Sequence, residues 1–280
     1  MRQTVATPVA LRREGARGED KIFARLRVEA EEAIARERDL AGFFYEAVLS
    51  LGSLEQVVAR RIALRLAGAG ASQPAVIAAF EDCFGAEAEL GEALRADISA
   101  VLDRDPACRR YLEPALYFKG FHAIQTHRLA HALWRRGRSD FALLLQSFSS
   151  QVFQTDIHPG ARIGKGFFLD HATGVVIGAT AVVEDDVSML HGVTLGGSGK
   201  GPGERHPKVR RGVLIGAGAL ILGNVEIGAR ALVAAGSVVL ENVPAHKTVA
   251  GVPARVVNEV GAAEPATAMD QVHDIIDAGL

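Results

Sequence analysis

The stretch LDHATG, residues 169–174, sets an aspartate and a histidine side by side in an apolar, glycine-punctuated run. An imidazole titrates near neutrality, so Asp170 and His171 are candidates for proton transfer. Asp156 and His158 precede the pair, His191 follows it, and the loop GGSGKGPGERHPK supplies Arg205 and His206. The planar fork of an arginine suits a carboxylate or phosphate. Such groups act together only if a rigid scaffold positions them, and the run around them shows which scaffold it is.

From residue 154 onward the period is six. Ile157, Ile163, Leu169 and Val175 are spaced that way. So are Ile177, Val183, Met189 and Leu195, and then Val209, Ile215, Ile221, Ile227, Val233 and Val239. Four residues after many of these sits a small or branched residue: Ala161, Ala181, Val187, Ala219, Val225, Ala231, Ser237 and Val243. A fixed short period indicates a solenoid, and this one suits a β-helix with three flat faces and about eighteen residues per coil. One long and one small inward side chain per face leave no room for aromatics, and every aromatic lies at or before Phe168.

The pattern breaks twice, and breaks in a regular sequence are the best functional candidates. Between Val175 and Ile177 the frame slips by two, which turns both residues inward. Between Leu195 and Val209 it opens into the loop 196–208, which leaves the helix. On this frame His171 and His191 each follow an inward residue by two, so they occupy equivalent places about 4.8 Å apart on successive coils. Asp170 and His158 directly follow an inward residue, and Asp156 directly precedes one. One side of the helix is therefore expected to collect histidines, carboxylates and an arginine beside the loop.

Before residue 154 apolar residues recur at helical spacing, as at Leu54, Val57, Val58, Ile62 and Leu66 in SLEQVVARRIALRL. Ser53 and Gln56 fit a capping box at its start. GFHAIQTHRLAHALWRRG reads as another helix, with Phe121, Ile124, Leu129, Ala132 and Leu133 on one half of its surface and Gly137 to end it. Further helices are expected near 24–50, 74–82, 86–103 and 139–152. His127 and His131 share a helix face while His122 points elsewhere, and all three are read as packing residues. His158, before Pro159, is read as structural. The fold class is α+β, an α-helical N-terminal domain followed by a parallel β-helix of hexapeptide repeats. Its parts are a flexible extension at 1–20, a helical oligomerisation domain at 21–153, the β-helix at 154–257 and a mobile tail at 258–280.

Composition excludes several classes. With 49% apolar and 23% charged residues the chain can bury a large core. A net charge of −2 without a basic face argues against nucleic acid. No apolar run suits a signal peptide or a membrane span. Cys83 and Cys108 are too few for a disulfide framework and read as free thiols of a reducing cytoplasm.

At its functional residues the sequence resembles the bacterial serine O-acetyltransferases. The segments that carry the resemblance are LDRDPA at 102–107, YFKGFHAIQTHR at 117–128, DIHPGARIG at 156–164, LDHATGVVIG at 169–178, VTLGGSGK at 193–200, RHPKVRRGVLIGAGALILGN at 205–224 and AGVPARVV at 250–257. The resemblance implies a left-handed β-helix that forms trimers, paired by the helical domains into a hexamer. It implies acetyl transfer from acetyl-CoA to the L-serine hydroxyl, opening cysteine biosynthesis. His171 would be the catalytic base and Asp156 the carboxylate that orients it. Asp105, Asp170, Arg205 and His206 would hold serine, and the stretch around Gly197, Ala217 and Ala235 would form the CoA groove. No metal is expected. L-Cysteine would act as feedback inhibitor in the serine site. The tail, ending at Leu280 where the family usually has isoleucine, would meet O-acetylserine sulfhydrylase.

This chemistry needs these residue types. A serine hydroxyl must lose its proton as it attacks a thioester, which is work for a general base oriented by a carboxylate. Backbone N–H groups at Gly196 and Gly197 could stabilise the resulting oxyanion. The paired aspartates answer an ammonium, and Arg205 answers a carboxylate. Three other readings stay open at this point: a zinc site built on His171, His191 and a third histidine from a neighbouring subunit, acyl transfer to a sugar or another amino alcohol, and a non-catalytic scaffold that binds a partner enzyme.

Overall fold

The computed structural model describes residues 20–199 and 203–270. The extension at 1–19, the loop tip at 200–202 and the last ten residues with Leu280 lie outside the described residues. Nine α-helices are described: α1 (Lys21–Arg36), α2 (Ala41–Phe44), α3 (Leu54–Ala67), α4 (Gln73–Ala86), α5 (Ala88–Arg104), α6 (Leu112–Leu116), α7 (Lys119–Arg135), α8 (Ser139–Phe153) and, after the solenoid, α9 (Pro265–Ala268). The helical grammar ends at Phe153, where the sequence changes period. Asp20 caps α1 by accepting from the Ile22 and Phe23 N–H groups. At α3 the expected capping box takes a shifted form. Ser53 Oγ accepts from Gln56 N–H, while Gln56 Oε1 accepts from Gly52 N–H.

Helix α7 departs from expectation. From Gly120 to Leu133 every residue except His131 is buried, so the helix is enclosed all round instead of presenting one apolar face. The reason is its central place, between the other helices and the first coil of the solenoid. Its polar residues are satisfied inside. Arg128 grips Asp97 of α5 with both arms, at 2.7 and 2.8 Å, and donates to the carbonyls of Ile163 and Gly164. Asp97 also accepts from Gln125 and from Phe167 N–H. This buried hub joins the helical domain to the β-helix.

The β-helix has three faces of five, four and six strands, parallel throughout except for the last strand of the third face. Its first face pairs Thr155–Ile157, Val175–Ile177, Thr194–Gly196, Leu220–Leu222 and Val238–Val239 in that order. The inward residues named from the six-residue period are buried, with Ile163 alone partly exposed. The frame slip is real: Val175 and Ile177 are both interior. The last strands, Lys247–Gly251 and Ala254–Glu259, turn back as an antiparallel pair.

The expected free tail does not begin at 258. Strand pairing continues to Glu259, and α9 docks on the solenoid with Ala266 buried. Ser188 Oγ donates to the Ala266 carbonyl at 2.7 Å, and Glu264 pairs with Arg230. A repeat pattern cannot announce a segment that packs outside the repeat. Among the described residues no helix is long and apolar enough to cross a membrane.

Candidate active site

His171 sits at the corner where the third face turns into the first. The corner is tight: His171, Ala172 and Gly174 all have positive φ, at 57°, 64° and 77°. Such a turn throws the imidazole outward, and its side chain is 73% exposed. As the frame requires, Leu169 pairs with Met189 across coils, and the rings of His171 and His191 meet edge to face with centroids 5.8 Å apart. Ala217 and Ala235 continue the same column, two residues after the inward Ile215 and Val233. Consecutive corners are tied by bonds from Gly192 N–H to Thr173 O, Gly218 N–H to His191 O and Gly236 N–H to Ala217 O. Among the described residues no group of three or more His, Cys, Asp or Glu is arranged to hold a metal ion.

Beside this corner lies a cleft of about 350 Å³ between the domains. The helical domain supplies Asp105, Phe118 and Lys119, and the solenoid supplies Asp170 and His171. Asp105 ends α5 and is fixed by its own turn, its Oδ1 accepting from Ala107 N–H at 2.8 Å. Asp170 Oδ2 lies 3.6 Å from His171 Nε2, a charge contact too long for a hydrogen bond. Burial first, with the Asp105 charge adding to it, pushes the Asp170 carboxyl up from the ordinary carboxylate range, against the pull of His171. Two carboxyl groups that share a half-buried cleft make it negative when both are ionised.

Arg205 and His206 sit elsewhere. Their loop replaces the corner between the first and second faces, so the expectation that one side of the helix collects every group is corrected. In a single chain the set is divided between two corners with the first face between them. The cause is position within the coil: Asp170 and His171 follow a third-face strand, whereas the loop follows a first-face strand. The His206 ring is buried over Gly178, where a Cβ would come within 2.0 Å of it, and a Cβ on Gly197 would lie 3.0 Å from its Nε2. Its Nδ1 meets Thr180 Oγ1 at 2.8 Å and accepts from Thr180 N–H, which leaves Nε2 to carry the proton of the neutral ring. Burial, then the charges of Arg205 and Lys208, lower its pKa and keep it neutral.

Asp156 lies on the first face, outward, accepting from Gln146 Nε2 at 2.6 Å. No contact joins it to His171 among the described residues of one chain. His158 accepts from Gly160 N–H through Nδ1 and packs edge-on against Trp134. His122 and His131 bond the carbonyls of Ala115 and Pro159. Sequence reasoning missed Lys119, Thr180 and Gly178. Lys119 alone carried a signal, a cation in the first turn of a helix.

Comparison with known proteins agrees with the residue pattern. A family model described as "Serine acetyltransferase, N-terminal" matches residues 22–126, and one described as "Bacterial transferase hexapeptide (six repeats)" matches 206–241. The chain is 48% identical over 250 residues to a serine acetyltransferase of Salmonella typhimurium, covering 89% of this chain and 92% of that one. A crystal structure of serine acetyltransferase in complex with coenzyme A from Brucella abortus superposes with a TM-score of 0.85 at 57% identity, covering 87% and 98% of the two chains. A serine acetyltransferase structure in complex with cysteine superposes with a TM-score of 0.87 at 46% identity, covering 89% and 97%.

Proposed function

Because the chain belongs to the serine acetyltransferase family, an acyltransferase family, we propose that it transfers acetyl from acetyl-CoA to the hydroxyl of L-serine by direct attack, with His171 as the general base. The observation that carries this reading is the pair Asp105 and Asp170 in one cleft beside an exposed imidazole. The pair receives the serine ammonium. His171 takes the hydroxyl proton as the oxygen attacks the thioester carbonyl. The tetrahedral intermediate then collapses, and the departing thiolate of CoA takes the proton back from the imidazolium. The products are O-acetyl-L-serine and CoA, which makes this the opening step of cysteine biosynthesis in the cytoplasm.

The divided set of residues supports a trimer. Closed three-fold symmetry brings one chain's first-to-second corner toward the next chain's third-to-first corner. There Arg205 answers the serine carboxylate, neutral His206 donates from Nε2, and Asp156, on the face between the corners, orients His171. The Gly197 stretch of one chain and the Ala217–Ala235 column of the next flank the CoA groove, and the helical domains pair two trimers into a hexamer. L-Cysteine shares the ammonium and carboxylate of serine and competes for the cleft as feedback inhibitor; the relative solved with cysteine supports this. The tail ending at Leu280, outside the described residues, is proposed to reach O-acetylserine sulfhydrylase.

The test is thiol release from acetyl-CoA with L-serine, L-homoserine or a simple sugar as acceptor. Serine-dependent release that falls about 10²–10⁴-fold in His171→Ala is expected. Release with another acceptor overturns the substrate, and undiminished release in the variant overturns the base.

A further inference from the structure

Lys119 stands in the first turn of α7, where the aligned peptide dipoles disfavour a cation. What it touches explains its place. Its Nζ donates to Thr173 Oγ1 and lies 3.5 Å from Gln154 Oε1. Thr173 belongs to the turn that displays His171. Two adjacent non-glycine residues there, His171 and Ala172, are left-handed. Such a conformation persists only where the surroundings over-determine it.

Three constraints converge on this turn. The next coil bonds it through Gly192 N–H to Thr173 O at 2.8 Å. Gly174 N–H donates to the carbonyl of Gln154, itself the left-handed cap of α8, also at 2.8 Å. Helix α7 presses from the third side, since a Cβ on Gly120 would lie 2.1 Å from the Leu169 carbonyl oxygen. Lys119 ties the second constraint to the third, because its ammonium reaches both the turn and the residue that bonds it.

We propose that Lys119 is a positioning residue, which bridges Thr173 and Gln154 and so locks the left-handed turn that aims His171 into the cleft. The proposal rests on the reading of His171 as general base. Lys119 also lines the cleft, so a direct grip on the substrate carboxylate is the rival role for its charge.

The experiment compares Lys119→Met, Thr173→Val, their double variant and His171→Ala in the full chain. It reads initial rates against both substrates and amide exchange across residues 172–174. In each single variant kcat falls by about 10- to 100-fold, the scale of a misaimed reacting group, with both KM values nearly unchanged. The double variant is no worse than the weaker single, Lys119→Arg recovers part of the loss, and exchange in the turn quickens by about tenfold. An unchanged kcat, additive losses, or a rise confined to the KM for serine overturns the lock. Thr173→Val keeps the test intact if Lys119→Met does not fold. Retained activity in His171→Ala overturns the base instead, and the exchange rates then judge the lock alone.

Discussion

Replacing Gly178 with alanine tests the placement of His206 without touching His206. The Gly178 backbone is not left-handed, so alanine brings no conformational strain of its own. Its Cβ, however, falls 2.0 Å from the ring atoms Cδ2 and Nε2. Comfortable contact needs about 3.5 Å, so the ring must retreat by about 1.5 Å. Retreat breaks the bond to Thr180, whose net worth is about 1 kcal/mol. With overpacking the stability loss is about 1–3 kcal/mol. On the proposal that His206 holds serine, the functional loss is larger in proportion, because a substrate-binding group displaced by more than about 1 Å costs on the order of 10²-fold in kcat/KM for serine. Initial-rate assays give this number, and thermal melts monitor folding. The decisive control is Gly178→Ala on a His206→Ala background, where the new methyl enters vacated space and adds almost nothing. A folded Gly178→Ala with serine kinetics within twofold of the parent, or a full extra loss in the double variant, refutes the placement.

Two stability predictions follow from the buried polar groups. Asp97→Ala leaves the Arg128 guanidinium buried without its counter-charge and should cost about 3–5 kcal/mol in urea unfolding; a loss below about 1 kcal/mol would show that the hub does not hold the domains. His122 is fully buried, its Nδ1 facing the Arg65 guanidinium and its Nε2 donating to the Ala115 carbonyl, and burial lowers its pKa to about 3. Only the unfolded chain therefore takes up this proton between the ordinary histidine range and about pH 3. Stability is untouched above about pH 6.5 and falls below it by about 1.4 kcal/mol per pH unit. Urea midpoints at pH 7.5 and 5 should show a shallower slope in His122→Gln, and an unchanged slope in that variant would contradict the assignment.

The solenoid was legible because its interior admits one side-chain pattern. A period of six, the loss of aromatics after Phe168 and the double inward slip at Val175 and Ile177 are all demands of a narrow three-faced core. The stacking of His171 on His191 came from the same frame. The division of the site did not, although the signal was present: counting strands within each coil puts Asp170 after a third-face strand and Arg205 after a first-face one. The left-handed turn at His171 was invisible, since neither histidine nor alanine announces positive φ. Lys119 and α9 were missed because each acts across the boundary between two periodic patterns. The burial of α7 on all sides was hidden because residues such as Gln125 and Arg128 look like solvent-facing polar groups until the hub that satisfies them is known.

The two ends of the solenoid decide how copies of this chain can aggregate. A parallel β-helix ends in unpaired strand edges, each a template for another chain to extend into a fibre. Here the closing strand Ala254–Glu259 runs backward against Lys247–Gly251, with its register broken between Thr248 and Val249. The other end begins directly from α8, which packs against the first strand, Thr155–Ile157. The strand edges are thus covered on the third face at one end and by α8 on the first face at the other, while the flat sides stay open with Val176 and Leu220 exposed on the first face. In the trimer proposed above, association runs sideways instead, and three-fold closure makes a ring at which growth stops.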